Sequence, residues 1–275
     1  MTRRLNPTFL LFGALGGLLL LKLVLPIVNL FVQADWADWL RSLREQGAAD
    51  ALGVSALSSS IAVVIMTAFG VPLGYLLARG RLPYTQLWIG LVFLPMVVPD
   101  LAGGILLLQT FGPHGAIGQP LSALNLELTN NLAGIVVAQL FVSAPFVVVS
   151  ALAAFAGVDP KLEMAAATLG DSQWQIFWRI SLPLAWPGIA AGITLAWIRA
   201  LGEFGATLIV AYNPHTLPVY MWVQFESNGL TGALPVAFLL VLLAGAAVGI
   251  SSLLSRLSGY RDAATVLGDT YGRPT

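Results

Sequence analysis

The stretch EMAAATLGDSQWQIFWRISLP, residues 163–183, interrupts an otherwise apolar chain with two acids, an arginine, a glycine break and a closing proline. Just upstream, Asp159 precedes Pro160, an N-cap followed by proline at the first helical position. MAAATL continues with good helix formers, and Gly170 stops the helix. Asp171 and Ser172 can cap a second short helix, QWQIFWRI, in which Trp174, Ile176, Phe177 and Ile180 fall at near-helical spacing around one side. Pro183 is expected to end that helix, and Pro187 to mark the return into an apolar environment. The segment reads as two short helices joined at a glycine and exposed to water between two hydrophobic runs.

Working outward, those runs belong to a chain of 275 residues that is 57% hydrophobic and only 9% charged, against roughly 25% charged in soluble domains. A soluble fold is excluded. Formal net charge is zero, which gives no electrostatic ground for binding nucleic acid. The absence of cysteine removes disulfides, thiolate metal sites and cysteine nucleophiles. His114 and His215 lie far apart in sequence, so a histidine-based metal site is not expected. Arg3 and Arg4 before an apolar run superficially suggest a signal peptide, but that run is too long and lacks a small-residue cleavage site.

A membrane-crossing helix needs about 20 apolar residues, and six runs reach that scale: 8–32, 52–78, 86–110, 131–157, 187–211 and 233–257. The expectation is an all-α membrane protein. Residues 1–51 would form a first span with an outer amphipathic segment, 52–258 the core with a cytoplasmic insert at 158–186, and 259–275 a polar tail. Nine of the thirteen basic residues fall on one side if the N-terminus is cytoplasmic: Arg3, Arg4, Arg79, Arg81, Lys161, Arg179, Arg256, Arg261 and Arg273. Basic residues collect in cytoplasmic loops, so both termini and the 158–186 insert are placed inside. Residues 33–50, with Trp36 and Trp39, read as an amphipathic stretch on the outer surface. Lys22, within the first span, reads as a snorkelling or helix-facing cation.

Two readings of the insert stand at this point. It is an interfacial elbow whose aromatic rings rest among lipid headgroups, or a docking knob whose small residues permit close approach and whose aromatics anchor a partner. Gly170, nine intervening residues, then Ile180, Leu182 and Pro183 resemble the coupling loop of ATP-binding-cassette importer permeases, which ends G, nine residues, I-x-L-P. Counting back from Gly170, the family's glutamate-alanine-alanine positions are Met164, Ala165 and Ala166. Methionine replaces the glutamate, and Glu163 sits one place earlier.

FLPMVVPD at 93–100 and FGPHGAIG at 111–118 look like the third span and outer loop of molybdate, tungstate and sulfate permeases. SAPFVV at 143–148 and VDPKLE at 158–163 fit the approach to their coupling loop. RALGEFGATLIVAYNPHTLPVYMW at 199–222 is similar to their fifth span and its outer loop. The resemblance covers approximately residues 52–257. It implies a six-span type I importer permease bundle in a bacterial or archaeal inner membrane, with a second permease copy, two cytoplasmic ATPase subunits and an extracytoplasmic substrate-binding protein as partners. ATP and Mg²⁺ would sit on the ATPase subunits, because no G-x-x-x-x-G-K-[ST] run occurs in this sequence, and no cofactor is expected on this chain.

Three ionisable residues fall within the expected spans: Asp100, Arg199 and Glu203. A lone intramembrane arginine costs roughly 2.5–3.5 kcal/mol on insertion scales and needs a partner. Glu203, one turn on, is the first candidate, and Asp100 could pair with Arg199 across helices. The three either brace the helices or flank a conduit. Gly202, Gly205 and Thr207 read as packing residues. The cargo implied is molybdate or tungstate, with sulfate or thiosulfate, a phosphonate or a cation as alternatives. An intramembrane enzyme would need clustered catalytic groups at one depth. An ion-gradient carrier would show inverted repeats and discontinuous helices, neither evident in the sequence.

Overall fold

The computed structural model describes residues 7–44 and 46–257; Arg3, Arg4, Arg261, Arg273 and the 259–275 tail lie outside them. All regular elements among the described residues are helical. In chain order they are α1 (Pro7–Val32), α2 (Trp36–Leu43), α3 (Gln46–Ala78), α4 (Thr85–Val97), α5 (Asp100–Phe111), α6 (Gly118–Ser122), α7 (Leu132–Ala156), α8 (Pro160–Thr168), α9 (Gln173–Ile176), a π turn (Phe177–Ser181), α10 (Leu182–Leu201), α11 (Gly205–Val210) and α12 (Leu217–Leu257). Five helical stretches are long and apolar enough to cross a membrane, and α4 with α5 makes a sixth when taken as one broken span. The chain is a multi-pass membrane protein.

The core is a three-helix stack of α3, α7 and α10, with Met66, Val147, Phe155, Ile189 and Ala196 buried at its centre. Lipid tails are as apolar as these side chains, so the helices associate through close packing. Both interfaces of α7 meet glycines spaced four apart. A Cβ on Gly74 would stand 2.6 Å from Ala151 Cβ, and one on Gly188 would stand 2.8 Å from Ala154 Cβ; Gly70 and Gly192 complete the two pairs against Val147 and Ser150. Polar contacts fix the register of the same stack. Gln139 Nε2 donates to Ser58 Oγ and to the Ala200 carbonyl, each at 3.1 Å, and Trp197 Nε1 donates to Ser59 Oγ at 3.2 Å.

Four expectations are corrected. The third apolar run is not one straight helix: α4 and α5 are bent by 112° at Val98–Pro99. Val98 is extended because a residue before proline avoids the helical region. Pro183 does not end the second insert helix. Leu182 N donates to the Phe177 carbonyl, five residues back, and this π turn lets the chain pass continuously from Gln173 to Leu201. Helices tolerate proline in their first turn, where no intrahelical donor is needed, and the wide turn resets that condition at Pro183. The span then ends at Leu201, ten residues before the expected end at 211.

Last, the expected outer loop at 212–232 is largely helical. Ser55 Oγ accepts from Leu217 N at 2.7 Å and starts α12, which leaves helical geometry at Gly229 (φ 66°). Trp36 and Trp39 of α2 also do more than lie on a surface. Their rings pack against Phe238 at 5.2 and 5.4 Å between centroids, and Trp39 is buried. By contrast α1 leaves its apolar residues exposed, and Lys22 on it is exposed as well.

Replacing Gly74 by valine forces an extra side chain into the α3–α7 contact, at a cost of about 1–3 kcal/mol. The purified variant should melt several degrees lower in detergent, whereas Gly90→Val, where the added atoms meet nothing within 4 Å, should leave the melting temperature unchanged.

Candidate coupling insert and membrane ion pair

The insert begins as its sequence suggests. Asp159 accepts from Lys161 N at 2.9 Å and Pro160 opens α8. The chain turns at Gly170 with φ +97°, a left-handed conformation that costs other L-residues about 1–2 kcal/mol. Ser172 and Gln175 then form a reciprocal capping box that starts α9. Met164, Leu169, Trp174 and Trp178 are exposed. Ala165 is exposed and Ala166 buried, while Ile180 and Leu182 are half-buried beside an exposed Pro183.

One buried carboxylate holds the insert to the bundle. Glu163 Oε1 accepts from Arg79 Nη2 at 2.6 Å, from Arg79 Nε at 3.0 Å and from Ser181 Oγ at 2.6 Å. Arg79 also donates to the carbonyls of Phe155 and Val158, at 3.0 and 3.3 Å. One guanidinium therefore joins the end of α3, the end of α7 and α8, and through Glu163 it reaches the π turn. Burial would raise the Glu163 carboxyl. The hydrogen bonds from Arg79 and Ser181, with the charges of Arg79 and Arg81, outweigh burial and hold it below the ordinary carboxylate value.

The sequence missed this cluster. Arg79 reads there only as one of nine cytoplasmic cations, and Ser181 carries no signal. The displaced glutamate was the available clue, since a carboxylate one place from the family position faces a different side of the helix.

A second charged site lies where two helix breaks meet. Arg199, near the end of α10, donates through Nη2 to both carboxylate oxygens of Asp100, at 2.7 and 2.6 Å. Asp100 is the first residue of α5, just past the 112° bend. Both side chains are partly exposed, at 30% for Arg199 and 41% for Asp100. Of the two partners weighed from the sequence, the cross-helix one is observed.

Glu203 points elsewhere, because Gly202 ends α10 and removes the helical register between 199 and 203. Its buried carboxylate accepts from Ala206 N at 2.8 Å, Thr207 N at 2.9 Å and Thr207 Oγ1, and so pins the start of α11. Gly205 lets α11 rest on α5, where a Cβ would stand 2.8 Å from Asp100 Cβ; at Gly104 a Cβ would stand 2.9 Å from Ala206 Cα.

Removing Arg79 leaves Glu163 buried and uncompensated, and breaking such a pair costs about 3 kcal/mol. In Arg79→Ala, hydrogen exchange over residues 160–182 should therefore speed up more than a hundred-fold, the factor that 3 kcal/mol implies. The pH dependence follows from the depressed Glu163 value. The anchor contributes fully above the unfolded carboxylate value and is lost as pH falls through the lower folded one. Exchange protection of 160–182 should show that acid transition in the natural protein and lose it in Glu163→Gln.

Residues 70–269 match the family described as binding-protein-dependent transport system inner membrane component. A probable molybdenum ABC transporter permease protein of Haloferax volcanii is 43% identical over 243 residues, covering 88% of each chain. The molybdate/tungstate transport system permease protein of Thermococcus kodakarensis is 38% identical over 262 residues, or 94% of this chain and all of the relative. A sulfate transport system permease protein of Synechocystis is 28% identical over 252 residues. Among solved structures, a bacterial alginate ABC transporter in complex with its pentasaccharide-bound periplasmic protein contains a chain of the same fold, with TM-score 0.68 and 20% identity over 91% of this chain and 94% of that one. The methionine ABC transporter in inward-facing form gives TM-score 0.62 and 17% identity over 76% of this chain and 94% of that one. The helical bundle thus shares its overall fold with these solved chains, and the chain belongs to the family of inner-membrane components of binding-protein-dependent transport systems.

Proposed function

We propose that this chain is the membrane-spanning subunit of an ATP-driven importer of molybdate or tungstate. The observation that carries the reading is the exposed α8–α9 insert, held to the bundle by Arg79, Glu163 and Ser181 while it presents Met164, Leu169 and Trp174 outward. The names of the Haloferax and Thermococcus relatives support the cargo. Two ATPase subunits would hold ATP and Mg²⁺ and grip the insert from the cytoplasm. A second copy of this chain would complete the conduit, and an extracytoplasmic binding protein would deliver the oxyanion.

Within this assembly Met164 and Ala165 supply the face that an ATPase groove meets, Ala166 is buried behind them, and Gly170 sets the turn between the two insert helices. Ile180, Leu182 and Pro183 carry displacement of the insert into α10. Arg199 stands in the last turn of that helix, and its charge is balanced by Asp100. A balanced pair beside a path attracts an oxyanion weakly enough to release it. Glu203 supports the pair from behind by fixing the start of α11.

The reading is tested by reconstituting the chain with an ATPase and a binding protein of a molybdate/tungstate system from the same organism, and measuring ATP hydrolysis with molybdate, tungstate or sulfate. Stimulation by the first two is expected; stimulation by sulfate alone would reassign the cargo. In Gly170→Ala the added Cβ meets nothing within 4 Å, so the strain is that of the backbone. Cargo-stimulated hydrolysis should fall about ten-fold, as 1–2 kcal/mol of distortion implies, with membrane insertion unchanged. Unaltered transport in that variant would count heavily against the coupling role. Exchanging the charges, Asp100→Arg with Arg199→Asp, should restore thermal stability lost in either single variant without restoring transport; recovery of both would reduce the pair to a brace.

A further inference from the structure

A groove of about 590 Å³ lies at the end of the bundle that carries the insert, between the second half of α3 and the helix that runs from α9 through the π turn into α10. Its volume is in the range of ligand-binding clefts, about 300–1,000 Å³. The walls are apolar and largely aromatic, formed by Val71, Tyr75, Phe177, Trp178, Leu182 and Trp186. One feature sets it apart from a packing defect. Arg81 stands at its rim, 5.5 Å over the Tyr75 ring, with Nη2 donating to the neutral Gln173 Oε1 at 2.7 Å rather than to a carboxylate.

An occupant must combine a long apolar body with an acceptor-rich, negatively charged end. The groove also lies at headgroup depth, because three tryptophans border it (Trp174, Trp178 and Trp186, all exposed) and tryptophan collects at the membrane interface. Anionic lipids enrich the cytoplasmic leaflet and attract basic residues.

We propose that this groove binds an anionic phospholipid of that leaflet, with one acyl chain against Phe177 and Trp178 and its phosphate on Arg81. The lipid lies between α3 and the helix leading out of the insert, so it adds a contact to the joint that Arg79 and Glu163 hold. The proposal rests on the cytoplasmic placement of the insert given above and is separable from cargo choice.

The test places photoreactive benzoylphenylalanine at Trp178 in the full-length chain, copurified with its ATPase and reconstituted in nanodiscs holding equal mole fractions of phosphatidylglycerol and phosphatidylcholine. Mass spectrometry then identifies the adducts formed on illumination. Phosphatidylglycerol adducts should exceed phosphatidylcholine adducts about five-fold, the factor contributed by one basic residue near an anionic headgroup. Arg81→Gln should bring the ratio to about one and Arg81→Lys should retain most of it, which separates a charge effect from a folding defect. Equal adducts in the natural sequence, a preference that survives Arg81→Gln, or no lipid adduct would overturn the proposal. An adduct to a second copy of the chain would also overturn it, by showing that the groove is a protein interface.

Discussion

The contact between Arg79 and Glu163 ties the α8–α9 insert to the spans, and in the proposed coupling role any force applied to the insert would pass through it. Short helices of the size of α8 and α9 are marginal on their own, and the outward faces of these two are not packed by the other described residues. Arg79 supplies what their length cannot. Its five donors allow it to bind two helix-end carbonyls and a carboxylate at once. Lysine, with three donors and no planar fork, could not span the same set.

At the other end of α10 the arrangement is looser by construction. The breaks at Val98–Pro99 and at Gly202 meet, and the freed backbone groups of the second are taken up by the Glu203 carboxylate. Non-helical backbone at membrane depth is tolerated where protein surrounds it, and Gly104 and Gly205 bring α5 and α11 close enough to provide that cover. The Asp100–Arg199 pair closes the same junction while remaining partly exposed. One end of α10 is therefore fixed by a buried ion pair and the other by a partly exposed one.

Much of this was legible in the sequence wherever the determining contacts are local. The Asp159–Pro160 start, the glycine turn at 170 and the Ser172–Gln175 box all act within four residues, and each stands where its residues suggested. The apolar runs revealed the spans because membrane insertion depends on composition over about 20 residues. That averaging also hid the breaks. Pro95 and Pro99 were visible, but membrane helices often carry proline without breaking, so nothing local announced a 112° bend. The Gly202 break was equally silent, which made Glu203 look like a neighbour of Arg199 on one helix. Arg79 and Glu163 are 84 residues apart, a pairing that no periodicity encodes. Asp100 could be considered for Arg199 only because an intramembrane charge demands neutralisation.

The π turn at Phe177–Ser181 has a mechanical consequence. Because it carries the helix past Pro183 instead of ending it, Gln173 and Leu201 belong to one stretch of 29 residues, about 43 Å at 1.5 Å per residue. A continuous helix of that length crosses the bilayer, so tilting the end that carries the insert by a few degrees shifts its far tip by ångströms in the opposite sense about whatever fulcrum the glycine-packed middle provides. The wide turn thus trades a small local loss of ideal hydrogen bonding for an unbroken helical path from the insert to Leu201.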